Sequence, residues 1–238
     1  MALTAVTTDA AGRVIRPPFS WSYSRIKNFD TCPFRYNQID VLKAVKEQQS
    51  PELKEGFAVH DAMANRINHA KPLPPSMPYE HWIDYAMYNV DRTRMTFGAE
   101  RKLAITDQFQ PCEYFDKIKP VWLRVVADVL LIHDDRAHII DWKTGKVKPD
   151  LEQLLLIATC VMVHFPQVMR IRAELVWLSA NTKTSMDCTA DDVADFWPGM
   201  MKKVEELRVA HETNVFPVKR SGLCRAHCVV TSCEHCGQ

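Results

Sequence analysis

The chain has no charge of one sign to spare: 30 Lys and Arg stand against 29 Asp and Glu, for a net charge of +1 and a pI near 7.6. A dedicated nucleic-acid binder usually carries a basic footprint, so this balance counts mildly against DNA as partner. Basic residues gather only locally, at Arg124, Lys143, Lys146 and Lys148 and again at Lys219, Arg220 and Arg225. The plain account of each group is a solvated face. No apolar run reaches membrane-spanning length, and the first residues lack the charged-then-apolar pattern of a signal peptide. A cytoplasmic protein is therefore expected. There is no internal repeat and no low-complexity segment. With 47% hydrophobic residues over 238 positions, the chain can bury a full core as one unit with appendages.

The most informative segment runs from Trp122 to Lys143. Trp122 to Ile132 is apolar and β-branched, His133 to Arg136 is a polar turn, and Ala137 to Lys143 resumes strand character, which together predict a β-hairpin. A turn centred between Asp134 and Asp135 sets Asp128 opposite Asp141, with Lys143 on their face. Opposed carboxylates, with Cβ atoms about 4.5 to 5.5 Å apart, destabilise a sheet unless positive charge lies between them. A divalent cation with hard oxygen ligands, Mg²⁺ or Mn²⁺, would supply it. A solvated hairpin face carrying an Asp141–Lys143 ion pair is the alternative, and a one-residue slip would separate the two aspartates.

Punctuation along the chain divides it into a loose arm over residues 1–18, a helical region over 19–98, a core over 99–188 and a C-terminal part over 189–238. Helices are expected from Ser22 or Ser24 to Thr31, Glu52 to Ala70, Tyr79 to Thr96 and Leu151 to Phe165. The last of these would open on a capping box of Asp150 with Gln153. Strands are expected at Ala99 to Thr106, in the hairpin, and at Arg170 to Leu178. The order strand, strand, helix, strand places the last strand beside the hairpin through a crossover. Thr189 caps a long helix to about His211, with a kink near Pro198. The fold class is α/β, a central mixed sheet flanked by helices.

Four of the eight cysteines, Cys224, Cys228, Cys233 and Cys236, crowd into the tail. Outside an oxidising compartment this argues for a metal centre, zinc or iron–sulfur, which spacing does not separate. Cys32 is a candidate distant ligand. Arg25, Arg35 and Tyr36 either line a DNA path or pack against Pro33.

These pieces, in order, resemble the PD-(D/E)XK nuclease superfamily, and within it the RecB-like iron–sulfur branch with its CRISPR-adaptation, AddB-type and phage-encoded members. Ser22 to Tyr36 resembles the N-terminal Ser-x-Ser and Cys-Pro segment, and Gly56-Phe-Ala-Val-His60 the G-x-x-x-H motif. Ala127-Asp128 resembles G-x-x-D with its glycine replaced. Asp141-Trp-Lys-Thr-Gly145 is similar to D-x-K-T-G, and Gln153 to the glutamine of Q-x-x-x-Y, with Ile157 in place of the tyrosine. The resemblance implies a restriction-endonuclease-like core. Its metal would be held by His60, Asp128, Asp141 and the Trp142 carbonyl. Asp128, Asp141, Lys143 and Gln153 would be catalytic, and Glu100 would match an acidic position. It also implies a [4Fe–4S] cluster on Cys32, Cys224, Cys228 and Cys233 with Cys236 spare, zinc on the four tail cysteines being the alternative.

The function so implied is a metal-dependent exonuclease acting on single-stranded DNA or DNA ends in recombination, repair or CRISPR-type processing. A helicase or a recombination or integration protein would be its partner, and the host cytoplasm its location if phage-encoded. The competing class is an inactive nuclease fold that binds DNA or protein.

Overall fold

Six strands form one sheet in the order β2-β1-β3-β4-β5-β6, and their register sets the position of every candidate residue. The computed structural model describes residues 19–47, 50–88, 90–91 and 93–238. The arm expected over residues 1–18 lies outside the described residues. In chain order the elements are α1 (Tyr23–Thr31), α2 (Pro33–Tyr36), a π-helical turn (Asn37–Val41), α3 (Pro51–His69), α4 (Glu80–Met87), β1 (Thr96–Ile105), β2 (Pro111–Cys112), β3 (Leu123–His133), β4 (Arg136–Lys143), α5 (Glu152–His164), β5 (Arg170–Trp177), β6 (Thr182–Cys188) and α6 (Ala190–Thr213).

The hairpin forms in the expected register, from His133 opposite Arg136 to Val129 opposite Ile140. Asp134 takes the left-handed conformation in its turn, at φ 51°, which an aspartate tolerates better than most residues. After α5, β5 returns parallel to β4, the placement expected from the strand–helix–strand order. β1 and β6 close the two sides antiparallel.

Helices cover both faces. Leu103, Ile105, Val125, Leu130 and Ile139 pack with residues of α1, α5 and α6 in the larger core. Ala99, Val129, Leu131, Ile140 and Trp142 pack against Val59, Met63 and Ile67 of α3 and Trp82, Ile83 and Ala86 of α4. Each fully buried large side chain contributes about 1.5–3 kcal/mol. α5 is apolar on nearly every side, with Leu154, Leu156, Ile157, Ala158, Cys160 and Val161 all buried, because the sheet covers one flank and α1 and α6 cover the others.

The strand alternation reverses in the middle of β1 and β3. Odd-numbered Leu103, Ile105, Val125 and Ala127 face the α5 side, while odd-numbered Ala99, Val129 and Leu131 face α3 and α4. The reversal falls at Glu100 and Asp128. The ladder skips this pair, stepping from Ala99–Val129 to Arg101–Ala127, and Glu100 has φ 55°. A non-glycine residue held there costs on the order of 1–3 kcal/mol, strain of a kind that concentrates at functional positions.

Three sequence expectations need correction. The helix from Tyr79 ends at Met87, not Thr96, because Asp91 accepts hydrogen bonds from the backbone N–H and hydroxyl of Thr93; this local turn competes with helix. The strand expected from Ala99 accordingly begins at Thr96. The Asp150–Gln153 capping box does not form: Leu151 occupies the cap position without a side-chain bond, and Gln153 is used elsewhere. The box appears instead at Thr189 with Asp192, and α6 runs on through Pro198. β2 and β6 were not anticipated.

A buried polar network joins α4 to the sheet. The Glu174 carboxylate, fully buried on β5, accepts from Tyr85 (2.7 Å), Lys183 (3.0 Å) and Ser185 (3.0 Å), and lies 3.0 Å from His138 Nε2 and 3.3 Å from Arg172 Nε. Burial alone would push this carboxyl upward, but its donors outweigh burial and hold it well below the usual range. Among the described residues no helix is long and apolar enough to cross a membrane.

Candidate active site

Where the β3–β4 ladder ends, the Asp128 carboxylate replaces it. Beyond the last ladder pair, Val129–Ile140, Asp128 Oδ2 accepts the Trp142 backbone N–H at 2.7 Å, and its Oδ1 lies 3.2 Å from His60 Nδ1. Asp128 is thereby fixed against both a strand and a helix. α3 brings His60 there. Pro51 begins the helix, the Ser50 hydroxyl caps it by accepting from Leu53 N, and Met63 and Ile67 bury the stripe below. Gly56, one turn before His60, permits the approach: a Cβ at that position would lie 3.2 Å from Thr144 Oγ1. Small size here lets α3 pack against the end of β4.

His60, Glu100 and Asp128 present ligand atoms that all lie within 4.8 Å of one another. Asp141 forms the second half of the site. Its Oδ1 accepts from Gln153 Nε2 at 2.7 Å and its Oδ2 is 2.6 Å from Lys143 Nζ. Lys143 also donates to Gln153 Oε1 at 2.8 Å, so carboxylate, ammonium and amide close a ring. This ring is why Gln153 does not cap α5. Both halves line one cavity of about 610 Å³, together with Phe57, Tyr114, Arg124 and Gly145.

The site has more negative charge than it can neutralise. Burial, then the neighbouring Asp128 carboxylate, push Asp141 up to about 7, against the pull of Lys143 and His60. Burial and Asp128 likewise raise Glu100. Burial opposes charge on His60, but the Asp128 hydrogen bond and charge, aided by Asp141 and Glu100, prevail and raise it. A bound cation would relieve all three, and an imidazole with carboxylates is a donor set that suits one.

Of the residues singled out in the sequence, His60, Glu100, Asp128, Asp141, Lys143 and Gln153 all meet in this cavity. Trp142 is itself buried, and its N–H holds Asp128. Ile157 also reaches the cavity wall. Tyr36 and Arg35, candidates for a DNA path, are buried instead: the Tyr36 hydroxyl lies 2.9 Å from His211 Nε2, and Arg35 pairs with Glu47. Phe57 and Tyr114 were missed, since an isolated aromatic in a sequence carries no sign that it borders a site.

The cysteines form a separate constellation. Cys32, Cys224, Cys228 and Cys233 line one small pocket with Phe34, Arg35 and Val230. Cys236 is outside that lining and donates its thiol to the Cys228 carbonyl at 3.3 Å. Lys219 Nζ, donating to the Asp30 carbonyl at 2.5 Å, ties the tail to α1.

A sequence model of the PD-(D/E)XK nuclease superfamily matches residues 20–237. No curated protein matches the chain significantly. Among solved structures, one from Eubacterium rectale described as a "putative exonuclease" superposes with a TM-score of 0.51 at 12% identity, over 87% of this chain and 86% of its own; at that identity the likeness is one of fold. A second, SSO0001, gives a TM-score of 0.38 at 9% identity over 79% of this chain and 77% of its own.

Proposed function

Because the chain belongs to the PD-(D/E)XK nuclease superfamily, we propose that it is a metal-dependent deoxyribonuclease that hydrolyses phosphodiester bonds, working as an exonuclease on single-stranded DNA or DNA ends. The observation that carries this reading is the junction of a metal-type donor set, His60, Glu100 and Asp128, with the Asp141–Lys143–Gln153 ring in one open cavity. In this proposal His60, Asp128, Asp141 and the Trp142 carbonyl, with Glu100 beside them, would hold Mg²⁺ or Mn²⁺, which would balance the carboxylates and lower the pKa of a water for attack at neutral pH. Lys143 faces the scissile phosphate and stabilises the charge that builds on its oxygens. Gln153 keeps that ammonium in place, its oxygen accepting from Lys143 while its nitrogen fixes Asp141. Asp128 anchors His60 and β4 in register.

The proposal extends to the cysteines: Cys32, Cys224, Cys228 and Cys233 hold a [4Fe–4S] cluster that closes a long loop between the chain's two ends, with Cys236 outside the ligand set. That these four, and not Cys236, line one small pocket supports this ligand set.

Manganese binding followed by electron paramagnetic resonance, beside cleavage of DNA by the same samples, tests the metal assignment. Asp128→Asn and Glu100→Gln should each weaken Mn²⁺ binding and lose cleavage in parallel. Parent-like Mn²⁺ affinity in both variants would remove the site from consideration.

A further inference from the structure

One end of the active-site cavity opens onto aromatic rings that the hydrolytic machinery does not use. Tyr114, on the cavity wall, stands edge to face with Phe115 at 4.8 Å between centroids. Phe115 is 73% exposed. Its loop is nonetheless tightly built: Asp116 Oδ1 accepts the backbone N–H groups of Ile118 and Lys119, both at 2.8 Å, and Oδ2 that of Glu113 at 3.3 Å. The turn holds Phe115 outward as a fixed ring.

Two cations adjoin the rings. Lys102 Nζ lies 5.8 Å from the centroids of both Tyr114 and Phe115. The Arg124 guanidinium is 5.8 Å from the Tyr114 ring, its Nε donating to the Tyr114 carbonyl at 2.8 Å. Lys102 pairs with Val126, and Arg124 with Ala104, so the two cations are diagonal neighbours on one face of the β1–β3 ladder. Val126 and Arg124 line the active-site cavity. Along β3, Arg124 is four residues from Asp128, about 13 Å at the rise of a strand. The surface therefore passes from carboxylates at Glu100 and Asp128 to cations at Lys102 and Arg124 and then to rings.

We propose that Tyr114, Phe115, Lys102 and Arg124 form a subsite for the unpaired nucleotides of a single DNA strand next to the scissile phosphate. Lys102 and Arg124 take backbone phosphates, and Phe115 stacks on a base. Alternating positive charge and open ring faces is how single strands are held without sequence readout. In a duplex interior each base face is already covered by its neighbours, so a ring fixed on a single turn gains a partner only from an unpaired or terminal base. This subsite rests on the nuclease reading of the adjoining cavity and names the substrate form that cavity takes.

The test uses the full-length protein in chelator, so that nothing is cut, with fluorescence anisotropy of a labelled single-stranded oligonucleotide and of a blunt duplex. Phe115→Ala is expected to weaken single-strand binding roughly tenfold, within the range seen for loss of one stacked base, and Phe115→Trp to retain it. Lys102→Ala is expected to reduce the slope of log affinity against log salt by about 0.7, one phosphate contact on a single strand. Duplex binding should fall less in Phe115→Ala, because a blunt duplex offers the ring only its terminal bases. Single-strand affinity unchanged in Phe115→Ala would overturn the subsite and leave the rings to a protein partner, whether or not the protein cuts DNA. Phe115-dependent binding by a protein that cuts nothing would uphold the subsite while the nuclease reading failed.

Discussion

Replacing Asp141 with asparagine should stabilise the metal-free protein while abolishing its activity. Asp141 is buried beside Asp128, and its carboxyl is pushed from an ordinary 3.8 to about 7. A carboxyl with a raised folded pKa favours the protonated folded state. The folded protein therefore bears no penalty below about pH 4, loses stability as pH rises from there to about 7, and bears the full cost above. A shift of roughly three units corresponds to at most about 4 kcal/mol. That figure is already net of the attraction of Lys143, and the amide of Asp141→Asn leaves Lys143 one acceptor fewer, so the expected gain at pH 8 is about 1–3 kcal/mol. For a domain of this size each kcal/mol moves the melting temperature by about 2–4 °C, so the variant should melt roughly 3–10 °C higher in chelator. At pH 5 the difference should be less than half of that at pH 8. Saturating Mn²⁺ should stabilise the parent and narrow or reverse the gap, because the cation supplies what the carboxylates lack. Differential scanning calorimetry across pH 5 to 8, with chelator and with Mn²⁺, reads all of this. An Asp141→Asn protein that melts at or below the parent in chelator at pH 8 would refute the picture of a site strained by its own charge.

Gly56→Ala should leave stability within about 1 kcal/mol, since gained helix propensity offsets the close contact with Thr144; kcat/KM for DNA should fall nonetheless as His60 is displaced, and parent-like kcat/KM would show that the close approach is not needed. Glu174→Ala strands the donors of a buried carboxylate and should cost about 3 kcal/mol, seen as a melting temperature lower by roughly 6–12 °C. Because the Glu174 carboxyl is held below its ordinary value, its contribution is full above about pH 4.5 and fades as pH falls further; the two proteins should therefore converge in acid, and a constant gap down to pH 3 would contradict the assignment. For the cysteines, anaerobically purified parent and Cys236→Ser should both be brown with visible absorbance, and Cys32→Ser and Cys233→Ser should lose it. A colourless, zinc-loaded parent would exclude the cluster.

The hairpin was legible because a short polar turn fixes its register as far as Val129–Ile140; Asp128 and Asp141, expected as the next opposed pair, lie beyond that ladder and meet at the cavity instead. His60 was legible through Gly56, whose spacing has a physical basis in the contact with Thr144. Glu100 gave only a faint signal. Its place opposite Asp128 depends on the pairing of β1 with β3 across a long connection, which no turn specifies, and on a left-handed backbone that no local pattern announces. Gln153 was ambiguous for a different reason: the same residue can cap α5 or bridge Asp141 and Lys143, and only the end of β4 beside it decides. The boundaries of α4 were misread because the Asp91–Thr93 turn outcompetes a helix that its apolar pattern would otherwise continue. β6 is mostly polar and half-exposed, an edge strand held by pairing with β5, and it shows little of the apolar alternation by which strands are recognised.

The central claim is most directly tested by release of nucleotides from end-labelled single- and double-stranded DNA, with Mg²⁺, with Mn²⁺ and with chelator, comparing the parent with Asp141→Ala and Lys143→Ala shown to be folded. Metal-dependent release by the parent, absent from both variants, is the predicted result, and the labelled end would give the polarity. Equal release by parent and variants, or none from folded parent with either metal, would contradict the account.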